Sequence, residues 1–406
     1  MQGGWLALQG LFIVGVTCYN SGIMQRRIKP IFVYVFFLLV LSILLVSHPE
    51  KTRQASSASS SASSSKLAPK QTSSKRDKAI ESILSQMTLE EKVGQLFWAR
   101  VPADNQIQDI KTYHLGGYLL FGKDFEGQTT QGIADLTQSY QDASEIPMLI
   151  GSDEEGGTVT RLSAILDQPF ASPMSLYQAG GIKAIVSDTK TKAQTLKSVG
   201  INAGLFPVAD VATDPNAFIY DRTIGQDADT TADYVSQVVS TLKKEQVGST
   251  LKHFPGYGNN GDSHTDIIRD DRSLASLKKS DLIPFEAGIK AGADSVLVSH
   301  NIMTRIDDVP SSISPKINKI LRQDLGFDGV ITTDDLDMAG LADFVNQDEA
   351  AYQVLKAGND VIMGSSYSSQ IPYLLDKVKS GELTEKRIDQ SVKRILIWKY
   401  NLGLLD

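Results

Sequence analysis

Three regimes of hydrophobic patterning follow one another along the chain. Pro30 to Val46 is apolar throughout except for Ser42, which as a helix is about 26 Å long, at the short end of what spans a bilayer. Ala55 to Ser65 is only Ser and Ala. The Lys, Gln and Ser that follow add almost nothing to bury, so residues 48–76 are expected to be a disordered tether. From residue 77 the pattern becomes that of a folded domain. Ile80, Ile83, Leu84 and Met87 recur at helical spacing, and Thr88-x-x-Glu91 has the form of a capping box opening a second helix.

Beyond that point short apolar runs alternate with amphipathic stretches such as Ala228 to Lys244 and Lys316 to Leu325. The apolar runs predict eight strands: Gln95–Ala99, Gly117–Phe121, Met148–Ser152, Asn202–Phe206, Gly248–Lys252, Ser295–Ser299, Val330–Thr333 and Asp360–Met363. Continuously apolar strands separated by helices indicate a parallel sheet buried on both faces. Eight such units over residues 77–406 fit an α/β fold of the (β/α)₈, TIM-like barrel type better than an open doubly wound sheet. No glycine-rich nucleotide fingerprint follows the first strand and no phosphate-binding loop motif occurs.

Charge sharpens the division between leader and domain. The chain of 406 residues carries a net −7, which argues against a nucleic-acid binder. Residues 1–76 hold nine basic residues and one acid, so they carry +8 and the rest carries −15. Arg26, Arg27 and Lys29 precede the apolar run, which orients the remainder to the outside. Residues 1–29 are thus read as a cytoplasmic leader and 30–47 as a single-pass anchor with an extracellular domain beyond. A cleaved signal peptide, giving a secreted protein, is disfavoured because Ser47-His48-Pro49-Glu50 lacks a small-x-small cleavage site. Met24 opens the basic-then-apolar sequence and is the expected start of translation. The single Cys18 excludes a disulfide framework or a thiolate metal cluster.

Side chains just past the C-terminal ends of barrel strands converge on one mouth, and polar residues collect there. Asp153, Glu154 and Glu155 follow the third strand, His253 the fifth, which ends in Lys252, His300 and Asn301 the sixth, and Asp334 and Asp335 the seventh. Asp335 and Asp337 are expected to open the next helix, where carboxylates suit the dipole. Glu155 is equally readable as a turn residue. Asp262 and His264 sit two apart in a Gly- and Asn-rich, mobile loop; in an extended stretch they can pair, and a carboxylate beside an imidazole orients it for acid and base work. His253, His264 and His300 also raise a metal-dependent hydrolase as an alternative, although neither His-x-His nor helical spacing occurs.

Several motifs together resemble glycoside hydrolase family 3, in its single-domain NagZ-like β-N-acetylglucosaminidase branch. They are Met87 to Leu96, Asp153 to Gly157 with Arg161, Pro207 to Val211, Asp221 to Gly225, Lys252-His253-Phe254-Pro255-Gly256, Asp262-Ser263-His264, and Leu325 to Leu336. The resemblance runs from about Met87 to Leu404. It implies a retaining enzyme that removes terminal non-reducing N-acetylglucosamine from cell-wall muropeptides or related β-N-acetylglucosaminides. It further implies Asp334 as nucleophile, His264 oriented by Asp262 as acid/base, and Asp153, Arg161, Arg222, Lys252 and His253 as sugar-binding residues. No metal or organic cofactor is implied. This sequence departs from the family at Tyr257, where a second His is frequent, in a loop from Gly258 to Asp262 that is one residue shorter than in many relatives, and at Glu154, where Gln is common. The altered loop keeps an inactive, wall-tethered sugar-binding protein as an alternative, beside a family 3 β-glucosidase of other sugar specificity.

Overall fold

The computed structural model describes residues 69–406, with side chains from residue 75. Eight parallel strands form its centre: β1 (Phe97–Arg100), β2 (Gly117–Leu120), β3 (Leu149–Ser152), β4 (Ala203–Gly204), β5 (Thr250–Phe254), β6 (Ser295–Val298), β7 (Val330–Asp335) and β8 (Val361–Gly364). They hydrogen-bond in the order β4-β3-β2-β1-β8-β7-β6-β5. The two outer strands then meet: Gly204 donates to the Gly248 carbonyl at 2.9 Å and Thr250 to that of Phe206 at 3.0 Å, so the sheet is a nearly closed barrel. Each strand overlaps one expected from the apolar runs.

The two strands that reach furthest past expectation are β5 and β7, and both carry a register shift near the mouth. Between Leu251 and Phe254 the pairing of β5 with β6 slips by one residue, and between β8 and β7 the pairing passes from Val361↔Thr332 to Met363↔Asp335. In a regular strand neighbouring side chains point to opposite faces; an extra residue re-aims them. That is how Lys252 and His253, adjacent in sequence, both come to serve the mouth.

The interior is packed rather than hollow. Trp98 and Trp398 meet edge to face at 5.6 Å, and a Cβ at Gly151 would lie 2.1 Å from the Trp98 ring, so that position admits no side chain. Each fully buried Leu, Ile or Val of this core contributes about 1.5–3 kcal/mol. The capping box forms as the spacing predicts, with Thr88 N donating to Glu91 Oε2 at 2.6 Å and Glu91 N to Thr88 Oγ1 at 3.2 Å. The first helix starts at Pro69, inside the stretch read as tether, and Glu81 on it pairs with Lys393 of the last helix, Glu385–Asn401. The apolar run Pro30 to Val46, Met24 and Cys18 lie outside the described residues. Among the described residues no helix is long and apolar enough to cross a membrane.

Candidate active site

A chain of buried ion pairs lines one side of the mouth. Lys252 Nζ lies 2.7 Å from Asp153 Oδ1 and 2.6 Å from Glu155 Oε1. Arg222 grips Glu155 with two bonds, Nη2 to Oε1 at 2.7 Å and Nε to Oε2 at 2.9 Å. Burial is the largest influence on Glu155 and pushes its carboxyl up, but Lys252 and Arg222 outweigh it and hold the group well below the ordinary range. Glu155 is therefore part of the site and not a turn residue. Within the sugar-binding set that the resemblance implies, Lys252, Arg161 and Arg222 stand against Asp153 alone, a charge excess that could have pointed to Glu155. Arg161 completes this side, with Nη2 3.3 Å from Asp153 Oδ2 and its guanidinium over the Phe121 ring.

His253 is held from both sides. Asp210, fully buried on the segment after β4, takes the His253 backbone N–H at 3.1 Å and lies 2.8 Å from the ring Nδ1. Arg222 Nη2 stands 3.2 Å from Nε2. A guanidinium can only donate, so Nε2 accepts and the ring proton sits on Nδ1, facing Asp210. The other oxygen of Asp210 accepts from the Tyr257 amide at 2.7 Å, so one carboxylate fixes both the strand end and the start of the next loop.

Asp334 sits within β7 and is buried. Its Oδ1 accepts from the Asp335 amide at 2.9 Å, whereas Oδ2 has no hydrogen-bond partner among the described residues. Burial pushes the carboxyl up most strongly, but the rings of His253, His300 and His264 together with the Asp335 amide outweigh it, so Asp334 lies below the ordinary range. His300 is fully buried, with Nδ1 2.8 Å from Ser312 Oγ and Nε2 2.9 Å from the Asp335 carbonyl. It braces the strand end beneath Asp334. Burial keeps its pKa low. With the ring nitrogens of His253 and His300 already engaged, the three histidines do not converge as a metal-ligand set.

Asp335 and Asp337 differ from expectation. The next helix begins only at Ala339 and has no acid in its first turn. Asp335 belongs to β7 and meets Arg100 of β1 at 2.5 Å, while Asp337 accepts from Ser365 after β8. These carboxylates tie neighbouring strands together across the mouth and do not cap a helix.

The loop carrying the acid–imidazole pair is anchored at both ends. His264 Nδ1 lies 2.6 Å from Asp262 Oδ1, which also accepts the His264 amide at 2.9 Å. The His264 side chain stays 46% exposed, reachable by a ligand in the mouth. Tyr257 is fully buried, edge-on to His253 at 5.0 Å and to Phe218 at 5.7 Å, and its hydroxyl bonds Ser263, the residue before His264. Arg272 fastens the loop start through the Gly256 carbonyl at 2.7 Å. On the far side Gly340 donates to the Ser263 carbonyl at 3.1 Å, and a Cβ there would approach that oxygen to 2.8 Å. The segment after the Asp334 strand and the His264 loop therefore touch directly, although Asp334 and His264 themselves are not hydrogen-bonded.

The mouth thus assembles an anionic strand-end carboxylate with a free oxygen, an oriented imidazole on an adjoining loop, and a set of paired polar groups opposite. Residues 88–397 match the model of the glycosyl hydrolase family 3 N-terminal domain. The chain belongs to glycosyl hydrolase family 3. It is 33% identical over 256 residues to a β-hexosaminidase of Xanthomonas campestris pv. campestris, across 61% of this chain and 76% of that one. To β-hexosaminidase A of Pseudoalteromonas piscicida it is 29% identical over 327 residues, 72% of this chain. It spans only 54% of that relative. Among solved structures, a glycoside hydrolase family 3 β-N-acetylglucosaminidase from Paenibacillus sp. str. FPU-7 superposes with a TM-score of 0.74 at 30% identity, covering 78% of this chain and 63% of that one.

Proposed function

We propose that the protein is a retaining β-N-acetylglucosaminidase acting on the non-reducing end of cell-wall muropeptides or related β-N-acetylglucosaminides. The observation that carries this reading is Asp334, a buried anionic carboxylate at a strand end whose Oδ2 is left without a partner. In a retaining reaction that oxygen attacks the anomeric carbon and forms a glycosyl ester as the bond to the leaving oxygen breaks. His264, held by Asp262, gives its proton to the leaving oxygen, then takes one from the water that cleaves the ester. An imidazole in this role avoids a second anion beside Asp334. Asp153, Lys252, Arg161, Arg222 and His253 supply the charged donors and acceptors for the sugar's hydroxyls and N-acetyl group. Relatives named β-hexosaminidase and β-N-acetylglucosaminidase support the sugar.

Asp334→Ala in the full chain should abolish hydrolysis of an aryl β-N-acetylglucosaminide with the fold intact by circular dichroism. Near-normal turnover would sink the mechanism. Running the matching aryl β-glucoside in parallel separates this branch from family 3 β-glucosidases. Chelator should leave turnover unchanged, whereas a metal-restorable loss would favour a metal-dependent hydrolase. The basic leader and apolar run support a site of action at the outer face of the cell membrane. Recovery of the enzyme in the membrane fraction would agree with that location, and recovery only from the medium would indicate a cleaved leader.

A further inference from the structure

Three consecutive acids follow β3, and they face three different ways. Asp153 looks into the mouth and Glu155 into the ion-pair chain, but Glu154 turns back into the shell and is fully buried. Its Oε1 accepts the backbone N–H of Arg161 at 2.7 Å and also that of Leu162. Its Oε2 has no hydrogen-bond partner among the described residues. Glu154 is thus the anchor of the turn that delivers Arg161 to the mouth. Arg161 has few other restraints: Nη2 touches Asp153 at 3.3 Å, Nη1 the Thr160 carbonyl at 3.1 Å, and Nε is unpartnered.

The anchor's strength depends on charge. A carboxylate accepts two amide hydrogens through charge-assisted bonds, roughly twice as strong as those to a neutral acid. The charged groups acting on Glu154 are Asp153 on its own segment and Lys192 on the helix Pro173–Ser198, beside the Arg161 and Leu162 amides of the turn. Lys192 is itself committed elsewhere, to the Glu155 carbonyl at 3.1 Å and Asp188 at 3.4 Å. Burial is the largest influence on Glu154, ahead of the two amides and Lys192, and its carboxyl is pushed up to about 7.

We propose that Glu154 is a positioning residue that sets Arg161 for the bound sugar, gripping the turn firmly as a carboxylate and loosely as an acid. Substrate affinity then weakens as pH falls through neutrality, independently of the His264 proton transfers that govern turnover. The inference rests on the reading that Arg161 binds the sugar.

The test is KM and kcat from pH 5.5 to 8.5 for the full-chain enzyme and three variants. In wild type KM should rise about 3–10-fold toward the acid end. Glu154→Gln keeps an amide-accepting oxygen but cannot titrate, so its KM should be flat across the range while its kcat profile follows wild type. Glu154→Ala should raise KM at every pH. Arg161→Ala should raise KM and flatten its pH dependence. If Arg161→Ala raises KM but Glu154→Gln keeps the wild-type KM limb, the Glu154 inference alone is overturned. If Arg161→Ala leaves KM untouched, the sugar-binding reading falls with it.

Discussion

At the residue scale, reactivity follows from which oxygen or nitrogen is left free. Asp334 Oδ1 is spent on a backbone amide and Oδ2 is not. The ring of His264 uses Nδ1 on Asp262, and its side chain stays half exposed. Replacing His264 by Ala should slow hydrolysis of a poor leaving group by about 10²–10⁴-fold. An activated nitrophenolate, which leaves without protonation, should suffer less in the first step. Equal losses for both leaving groups would argue against His264 as the general acid. Identities such as Asp334 and the Asp262–His264 pair were legible in the sequence because each stands in a distinctive motif. Asp210 and His300 also stood at marked positions, but their roles were not legible, because these come from partners 43 and 35 residues away.

At the element scale, the mouth depends on two slipped strands and one pinned loop. The eight apolar runs marked the barrel, since their β-rich, helix-separated pattern survives small errors at the ends. The slips in β5 and β7 have no signature in period-two patterning, which is why Asp335 was expected at a helix start and lies instead in a strand beside Arg100. Asp210 is the tie between β5 and the loop. Asp210→Ala strands the His253 and Tyr257 amides and the His253 ring, at roughly 1–3 kcal/mol for each buried donor left unmet. Urea unfolding of this variant should show a loss of several kcal/mol or no folded protein. A change under about 0.5 kcal/mol would contradict the tie. Tyr257→Phe removes only the hydroxyl that holds Ser263, so it should lower kcat while leaving KM largely unchanged; an unaltered kcat would mean that the Ser263 contact does not place His264.

At the scale of the whole molecule, the barrel carries a buried amine at the end opposite its mouth. Lys399 is fully buried with Gln95 Oε1 at 2.7 Å as its hydrogen-bond partner, and burial pushes its pKa down to about 7. The unfolded chain holds this proton up to about pH 10.5, so between about 7 and 10.5 the unfolded state binds more protons. Stability contributed here is present above the unfolded value and lost as pH falls toward 7, by at most about 1.4 kcal/mol per pH unit. Lys399→Met should be more stable than wild type at pH 7.5, with the gap narrowing by pH 9.5 in urea titrations; parallel midpoints at both pH values would contradict this.

The central claim, that hydrolysis proceeds through a glycosyl ester on Asp334, has a direct measurement. The full-chain enzyme is incubated with a fluorinated aryl β-N-acetylglucosaminide whose ester turns over slowly, then digested and mapped by mass spectrometry. One sugar-sized adduct on the peptide containing Asp334, released when the sample is left to hydrolyse, is the expected result. An adduct on another side chain, or steady release of the aryl group with no adduct at any time, would contradict the account.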